Sequence, residues 1–239
     1  MDLTLTDLHV RIAGKPVLQG LSLVVGRREI VGLIGAPGCG KSTILRAVFG
    51  LERVERGTVR FDGAEIANRT ASANLTGGIA YVPQGGRVFR SLTVAENLRL
   101  AAITVPPADA GGRIAEIEAL FPRLAERGRQ LAGSLSGGER QMLALGMGLV
   151  PRPRLLLLDE PSTGLSPLMT EQMLAEVRRL ADDRGISVLL VEQNVRNAAA
   201  ISDRVLVMRR GAIGHAQAMA GPETVQALLD AYAFARDAA

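Results

Sequence analysis

One stretch constrains this chain more than any other: Gly35-Ala36-Pro37-Gly38-Cys39-Gly40-Lys41-Ser42-Thr43. It fits the spacing G-x-x-x-x-G-K-S/T, and its context fits too. An apolar strand pattern over 29–34 leads into it, and a helical pattern over Lys41–Phe49 opens from it. Glycines at these positions let the backbone wrap closely around a ligand, at φ values other residues avoid. The exposed amides and the helix N-terminus then hold negative charge. Lys41 is placed to reach the β- and γ-phosphates of a nucleotide, and Ser42 to bind Mg²⁺. A chain with such a loop must supply a parallel strand beneath it and a helix behind it.

A second feature answers the first. Leu155-Leu-Leu-Leu158-Asp159-Glu160 reads as a buried strand ending in two acids. Phosphate chemistry needs one carboxylate to orient Mg²⁺ and another to align or deprotonate water. Adjacent residues at a strand's end point to different sides, so Asp159 is expected to serve the metal and Glu160 the water.

The rest of the pattern supplies the frame. Strands are expected at Leu3–Ile12, 18–25, 29–34, 78–82, 155–158, 188–191 and 205–208. A turn separates the first two over 13–16, and a hairpin joins 58–61 to 64–66 through Asp62-Gly63. Helices are expected at 94–102, 113–129, 137–150, 168–183 and 224–236, with a Pro- and Gly-rich break over 105–112. Strands alternating with helices predict an α/β fold with a mostly parallel core sheet. Nothing divides the chain into independent domains, so 1–239 reads as one domain.

Composition excludes several classes. The chain has 239 residues, 47% hydrophobic and 22% charged, an ordinary globular balance. Aromatics make up only 3%, too few for a base-stacking nucleic-acid surface. The net charge is +4, but Lys15 and Lys41 are the only lysines and no dense basic run occurs. Cys39 is the one cysteine, which rules out an internal disulfide. The opening MDLTLTDLHV carries Asp2 and Asp7 and is not expected to be a signal peptide. No run of about 18 apolar residues is present, so a membrane role would require partners.

The segment Leu135-Ser136-Gly137-Gly138-Glu139-Arg-Gln141, ahead of a helix, makes the family specific. With the phosphate loop upstream and the acid pair downstream, the chain resembles the ATPase domain of ABC proteins over essentially its whole length. That resemblance implies a P-loop NTPase fold with an N-terminal antiparallel β subdomain and a helical subdomain over about 86–152. It implies ATP and Mg²⁺ as cofactors. It also implies that Ser136, Gly137, Gly138 and Glu139 cap the γ-phosphate of ATP held on a partner's loop. Gln84, in Tyr81-Val-Pro-Gln84, matches the family's glutamine loop, which contacts Mg²⁺ and water. Pro161-Ser-Thr-Gly-Leu-Ser166 matches the loop after the catalytic Glu.

The chain departs from the family pattern at three positions. Ile12 stands where an aromatic residue usually stacks on adenine. Ser166 replaces a frequent Asp. Gln193 replaces the usual switch histidine, and an amide can donate a hydrogen bond but cannot titrate. His9 and His215, the only histidines, fall outside the motifs, which leaves Glu160 as the base. Val191-Glu-Gln-Asn194, Asp159-Glu-Pro-Ser-Thr-Gly-Leu-Ser-Pro167 and the stretch 82–98 resemble the second ATPase subunit of branched-chain amino-acid importers and their urea and amide relatives. This branch implies two transmembrane permease subunits and a second ATPase subunit, alike or different. A substrate-binding protein would be an indirect partner, and no nucleic acid is involved. The place implied is the cytoplasmic face of the plasma (inner) membrane, held peripherally. A soluble non-transport ATPase and an exporter subunit are the alternative readings.

Overall fold

The computed structural model describes residues 3–219 and 222–237. Met1 and Asp2, part of the opening read for a signal peptide, lie outside the described residues, as do 220, 221, 238 and 239. The N-terminal sheet forms from β1 (Leu3–Ile12), β2 (Lys15–Val25), β4 (Val54–Phe61) and β5 (Ala64–Glu65) in the order β2-β1-β4-β5. All its pairings are antiparallel. Its strands alternate buried and exposed residues, the signature of a sheet with one wet face.

The second sheet contains β3 (Ile30–Gly35), β6 (Ile79–Val82), β7 (Leu155–Asp159), β8 (Ser187–Val191), β9 (Arg204–Arg209) and β10 (Ala212–Ala218). Its order is β10-β9-β3-β8-β7-β6, parallel except for the β9–β10 hairpin. Strands β3, β7 and β8 are buried along their whole length, as expected of parallel strands covered on both faces.

Alternation along β7 distributes the core. Leu155 and Leu157 join α1 (Lys41–Phe49) and the inner face of the antiparallel sheet in one apolar cluster. Leu156 and Leu158 point the other way. They meet α3 (Val94–Ala101), α4 (Pro107–Leu120), α5 (Pro122–Glu126), α6 (Gly137–Leu149) and α7 (Pro167–Arg184). A smaller cluster packs α8 (Val195–Ile201) and α9 (Pro222–Asp237) beside β9. The remaining helix, α2 (Ala71–Thr76), precedes β6. The helix α1 is thus sandwiched between two sheets, which fixes the loop at its start.

Two expectations in the middle of the chain are corrected. The stretch 105–112 does not break the helix throughout, because α4 already begins at Pro107. Proline at the first helical turn lacks only an amide that would have no partner there. Nor is 113–129 one helix: Phe121 leaves helical geometry at φ −123° and ψ 76°, and Pro122 starts a new short helix. Elsewhere the expected elements are present with ends shifted by up to four residues. No helix among the described residues is long and apolar enough to cross a membrane.

Candidate functional site

The loop between β3 and α1 is held open by contacts with backbone. Gly38 and Gly40 have φ of +79° and +106°. A Cβ at Gly35 would lie 2.5 Å from the Met208 carbonyl oxygen, so β9 permits only glycine there. A Cβ at Gly40 would meet Leu18 at 2.9 Å. The amide of Gly211 donates to the Cys39 carbonyl at 3.2 Å, tying the loop to the β9–β10 turn.

No side chain caps the N-terminus of α1, and no acid occupies its first turn. The amides of the first turn have no intrahelical acceptors, so they offer positive potential to an anion. Lys41 is buried, and its Nζ donates to the carbonyls of Gly35 at 2.7 Å and Ala36 at 3.1 Å. The ammonium is therefore held inside the loop, where a phosphate would exchange with those carbonyls.

Ser42 and Asp159 meet. The Ser42 hydroxyl donates to Asp159 Oδ1 at 2.8 Å, and the Tyr81 hydroxyl donates to Oδ2 at 3.0 Å. Burial pushes the Asp159 carboxyl up from its ordinary value, while these two hydroxyls and Lys41 pull it back. Burial and the charge of Asp159 push the Tyr81 phenol up, which keeps it a donor. A hydroxyl and a carboxylate side by side are hard oxygen donors. They suit Mg²⁺, which takes one or two such protein ligands and completes its shell with phosphate and water.

Glu160 follows with φ of +46°, a left-handed conformation rare for a residue with a side chain. Its amide donates to the Val191 carbonyl at 2.9 Å, which locks the turn against the end of β8. The carboxylate, almost fully buried, accepts from Gln84 Nε2 at 2.6 Å. Gln193 Nε2 donates to both of its oxygens at 2.8 Å, and the Thr163 hydroxyl to one at 3.3 Å. Gln84 and Gln193 thus converge on Glu160, and neither is bonded to the phosphate loop. Sequence reasoning paired them with nucleotide and metal but did not pair them with each other through this acid.

The segment 136–139 starts α6. Ser136 caps the helix, accepting from the Glu139 amide at 3.3 Å, while Glu139 accepts from the Ser136 amide and hydroxyl at 2.9 and 2.8 Å. Arg127 pairs with Glu139 at 2.9 Å. Ser136 and Gly137 are exposed, and a Cβ at Gly138 would meet Met169 at 3.0 Å. The helix start therefore uses the Ser136 and Glu139 amides in its own cap and lies close to the loop after Glu160. Ile12 ends β1 on the hairpin turn, 39% exposed, while Val17 and Leu18 of the same hairpin touch Gly40. Ser166 caps α7 through the Met169 amide at 3.4 Å.

Three participants escaped sequence reasoning. Tyr81 was readable as a polar residue in an otherwise apolar buried strand. Glu192 was readable as an acid directly after the apolar run of β8, the position Asp159 holds on β7. Nothing in the spacing points to Thr163. Together the assembled groups can hold a polyphosphate and a divalent cation, with a buried carboxylate beside them to accept a proton from water.

A family model described as ABC transporter matches residues 18–163. The high-affinity branched-chain amino acid transport ATP-binding protein BraG of Pseudomonas aeruginosa is 43% identical, covering 82% of this chain and 84% of its own. The probable branched-chain amino acid transport ATP-binding protein LivF of Archaeoglobus fulgidus is 41% identical, with coverage of 82% and 84%. Among solved structures, a nucleotide-free ATP-binding cassette from an ABC transporter superposes with a TM-score of 0.84 over 96% of this chain and 95% of that one, at 23% identity. The family match spans more than half of the residues, and BraG is 43% identical over 82% of the chain, so the chain belongs to the ABC transporter family.

Proposed function

We propose that this chain is the ATP-binding and ATP-hydrolysing subunit that powers an ABC importer for branched-chain amino acids or related small polar or amide solutes. The observation that carries the reading is the junction of three strand ends. Ser42 of the phosphate loop is bonded to Asp159, and the adjacent Glu160 lies under two side-chain amides. The substrate class rests on the likeness to BraG and LivF, which are branched-chain amino acid transport ATP-binding proteins, LivF a probable one.

The roles follow from position. Residues 35–43 wrap the phosphates, with Lys41 leaving its two carbonyls for the β- and γ-oxygens. Ser42, Asp159 and Gln84 hold Mg²⁺, which supplies charge neutralisation at the phosphates when bound. Glu160 takes the proton of the attacking water. Gln84 and Gln193 hold its carboxylate in place by donation. Ile12 packs against adenine through apolar contact. Ser136, Gly137, Gly138 and Glu139 present a second anion site to ATP on a partner ATPase subunit, alike or different. The chain acts as one domain across 1–239, with 86–152 as its helical subdomain. It sits peripherally on the cytoplasmic face of the inner membrane against two transmembrane permease subunits, with a substrate-binding protein as an indirect partner and no role for nucleic acid.

Gentle solubilisation of membranes and capture of the full-length chain tests the transport reading. Two integral membrane permeases should copurify, and a binding protein assigned to them should bind a branched-chain amino acid. Recovery with ribosomes or nucleic acid, and without permeases, would contradict it.

A further inference from the structure

Behind Glu160 stands a second acid that the reaction does not use. Glu192 is 1% exposed. Its amide donates to the Leu33 carbonyl at 3.1 Å, extending the β8–β3 ladder. Its carboxylate takes both contacts of one residue: Oε1 accepts from the Ser162 amide at 3.1 Å and Oε2 from the Ser162 hydroxyl at 2.8 Å. Asn197 Nδ2, from α8, donates to the same hydroxyl at 3.1 Å. Burial, with the charge of Glu160 as a lesser cause, pushes the Glu192 carboxyl up, and the Ser162 donors and the Gln193 amide oppose it.

These contacts close a circuit. Glu160 and Ser162 are two residues apart in the loop after β7, and Glu192 and Gln193 are neighbours in the loop after β8. Ser162 is bonded to Glu192, and Gln193 is bonded to Glu160. The first contact, together with the Glu160 amide bond to the Val191 carbonyl, sets the distance at which the second is made. A large cavity, about 1040 Å³, opens on the other side of the clamp between α7 and α8. An acid buried at the cost of desolvation, and bonded by both oxygens to a loop beside the catalytic carboxylate, is a device for placement.

We propose that Glu192 is a positioning residue that clamps Ser162 and thereby keeps Gln193 in register on Glu160. The proposal rests on the reading of Glu160 as the base. The conservative change Glu192→Gln keeps both contacts, since the amide oxygen accepts from the Ser162 N–H and the amide nitrogen donates to the Ser162 oxygen. Glu192→Met keeps the volume and removes both.

The test is single-turnover ATP hydrolysis and ATP affinity of the full-length chain in a double-mutant cycle with Gln193→Ala. Glu192→Met should slow hydrolysis about 10- to 100-fold, the range for a small misplacement at a catalytic group, and leave ATP affinity within about threefold. Glu192→Gln should restore the rate to within about threefold of wild type. With Gln193→Ala already in place, Glu192→Met should slow hydrolysis less than about twofold further. An unaltered rate in Glu192→Met, an equal loss in both backgrounds, or no rescue by Gln would each overturn the proposal. If Glu192→Met does not fold, Ser162→Ala, which deletes one of the two contacts, must show the same dependence on Gln193; equal losses in both backgrounds overturn it again. Glu160→Gln separates the two readings: wild-type hydrolysis by that variant removes the assigned base, whatever Glu192 does.

Discussion

At Glu160, backbone and side chain are both committed. The left-handed φ and the amide bond to Val191 aim the carboxylate, and Gln84, Gln193 and Thr163 hold it. The acid behind it carries a measurable cost. The native pKa of Glu192 lies above its ordinary value of 4.5, so below that value the residue is protonated in both folded and unfolded chains. As pH rises through the native pKa, the folded state must ionise a buried group and its contribution to stability falls. Glu192→Gln has no such group. Its melting temperature relative to wild type should therefore rise as pH is raised from below 4.5 toward neutrality, and a flat difference would contradict the assignment. Cys39 gives a second residue-scale prediction. Burial raises its thiol above the ordinary value despite Lys41 nearby, so alkylation should be slow at neutral pH and quicken as pH rises. Once made, the adduct should block ATP binding, since it occupies the phosphate loop. Unchanged ATP affinity in fully alkylated chain would refute this.

At the scale of elements, what was legible in the sequence was whatever buries two faces or carries a fixed spacing. The apolar runs of β3, β7 and β8, the loop 35–43 and the acid pair 159–160 were readable because each meets its constraint within a few consecutive residues. Strand β10, Ala-Ile-Gly-His-Ala-Gln-Ala, was not, because an edge strand half open to solvent needs no apolar run. Helix α8 was hidden for another reason: Asn194, read as part of a motif, is its cap, accepting from the Arg196 and Asn197 amides. Helix α2 is six residues long with one buried side chain, too short to show a period. The convergence of Gln84 and Gln193 on Glu160 could not be read at all, since it depends on three loops brought together by the sheet order. The helical layer has its own test. Leu98 of α3 is fully buried in the cluster shared with α4, α6 and α7, and its side chain would lie 3.7 Å from a Cβ at Gly146. Leu98→Ala should lower stability by about 2–5 kcal/mol in denaturant unfolding. A change under about 1 kcal/mol would show that this layer is not packed as described.

The whole molecule places one short helix between two sheets and sets every reacting group at the carboxyl end of the parallel strands. Three of those strand ends, on β3, β7 and β8, meet across a few ångströms, and Tyr81 on β6 and Ser42 on α1, 78 and 117 positions from Asp159 in the chain, bond to its one carboxylate. Ligand binding at such a junction should stabilise the fold as a unit. Mg²⁺-ATP at about a hundredfold over its dissociation constant should raise stability by about 2.7 kcal/mol. Lys41→Ala should lose that thermal shift together with turnover, and a full shift in this variant would contradict the role of the loop. The central claim is that Glu160 is the base that activates water for ATP hydrolysis. The most direct measurement is single-turnover hydrolysis by Glu160→Gln alongside its ATP affinity: binding retained with hydrolysis lost is the predicted result, and hydrolysis at the wild-type rate would contradict it.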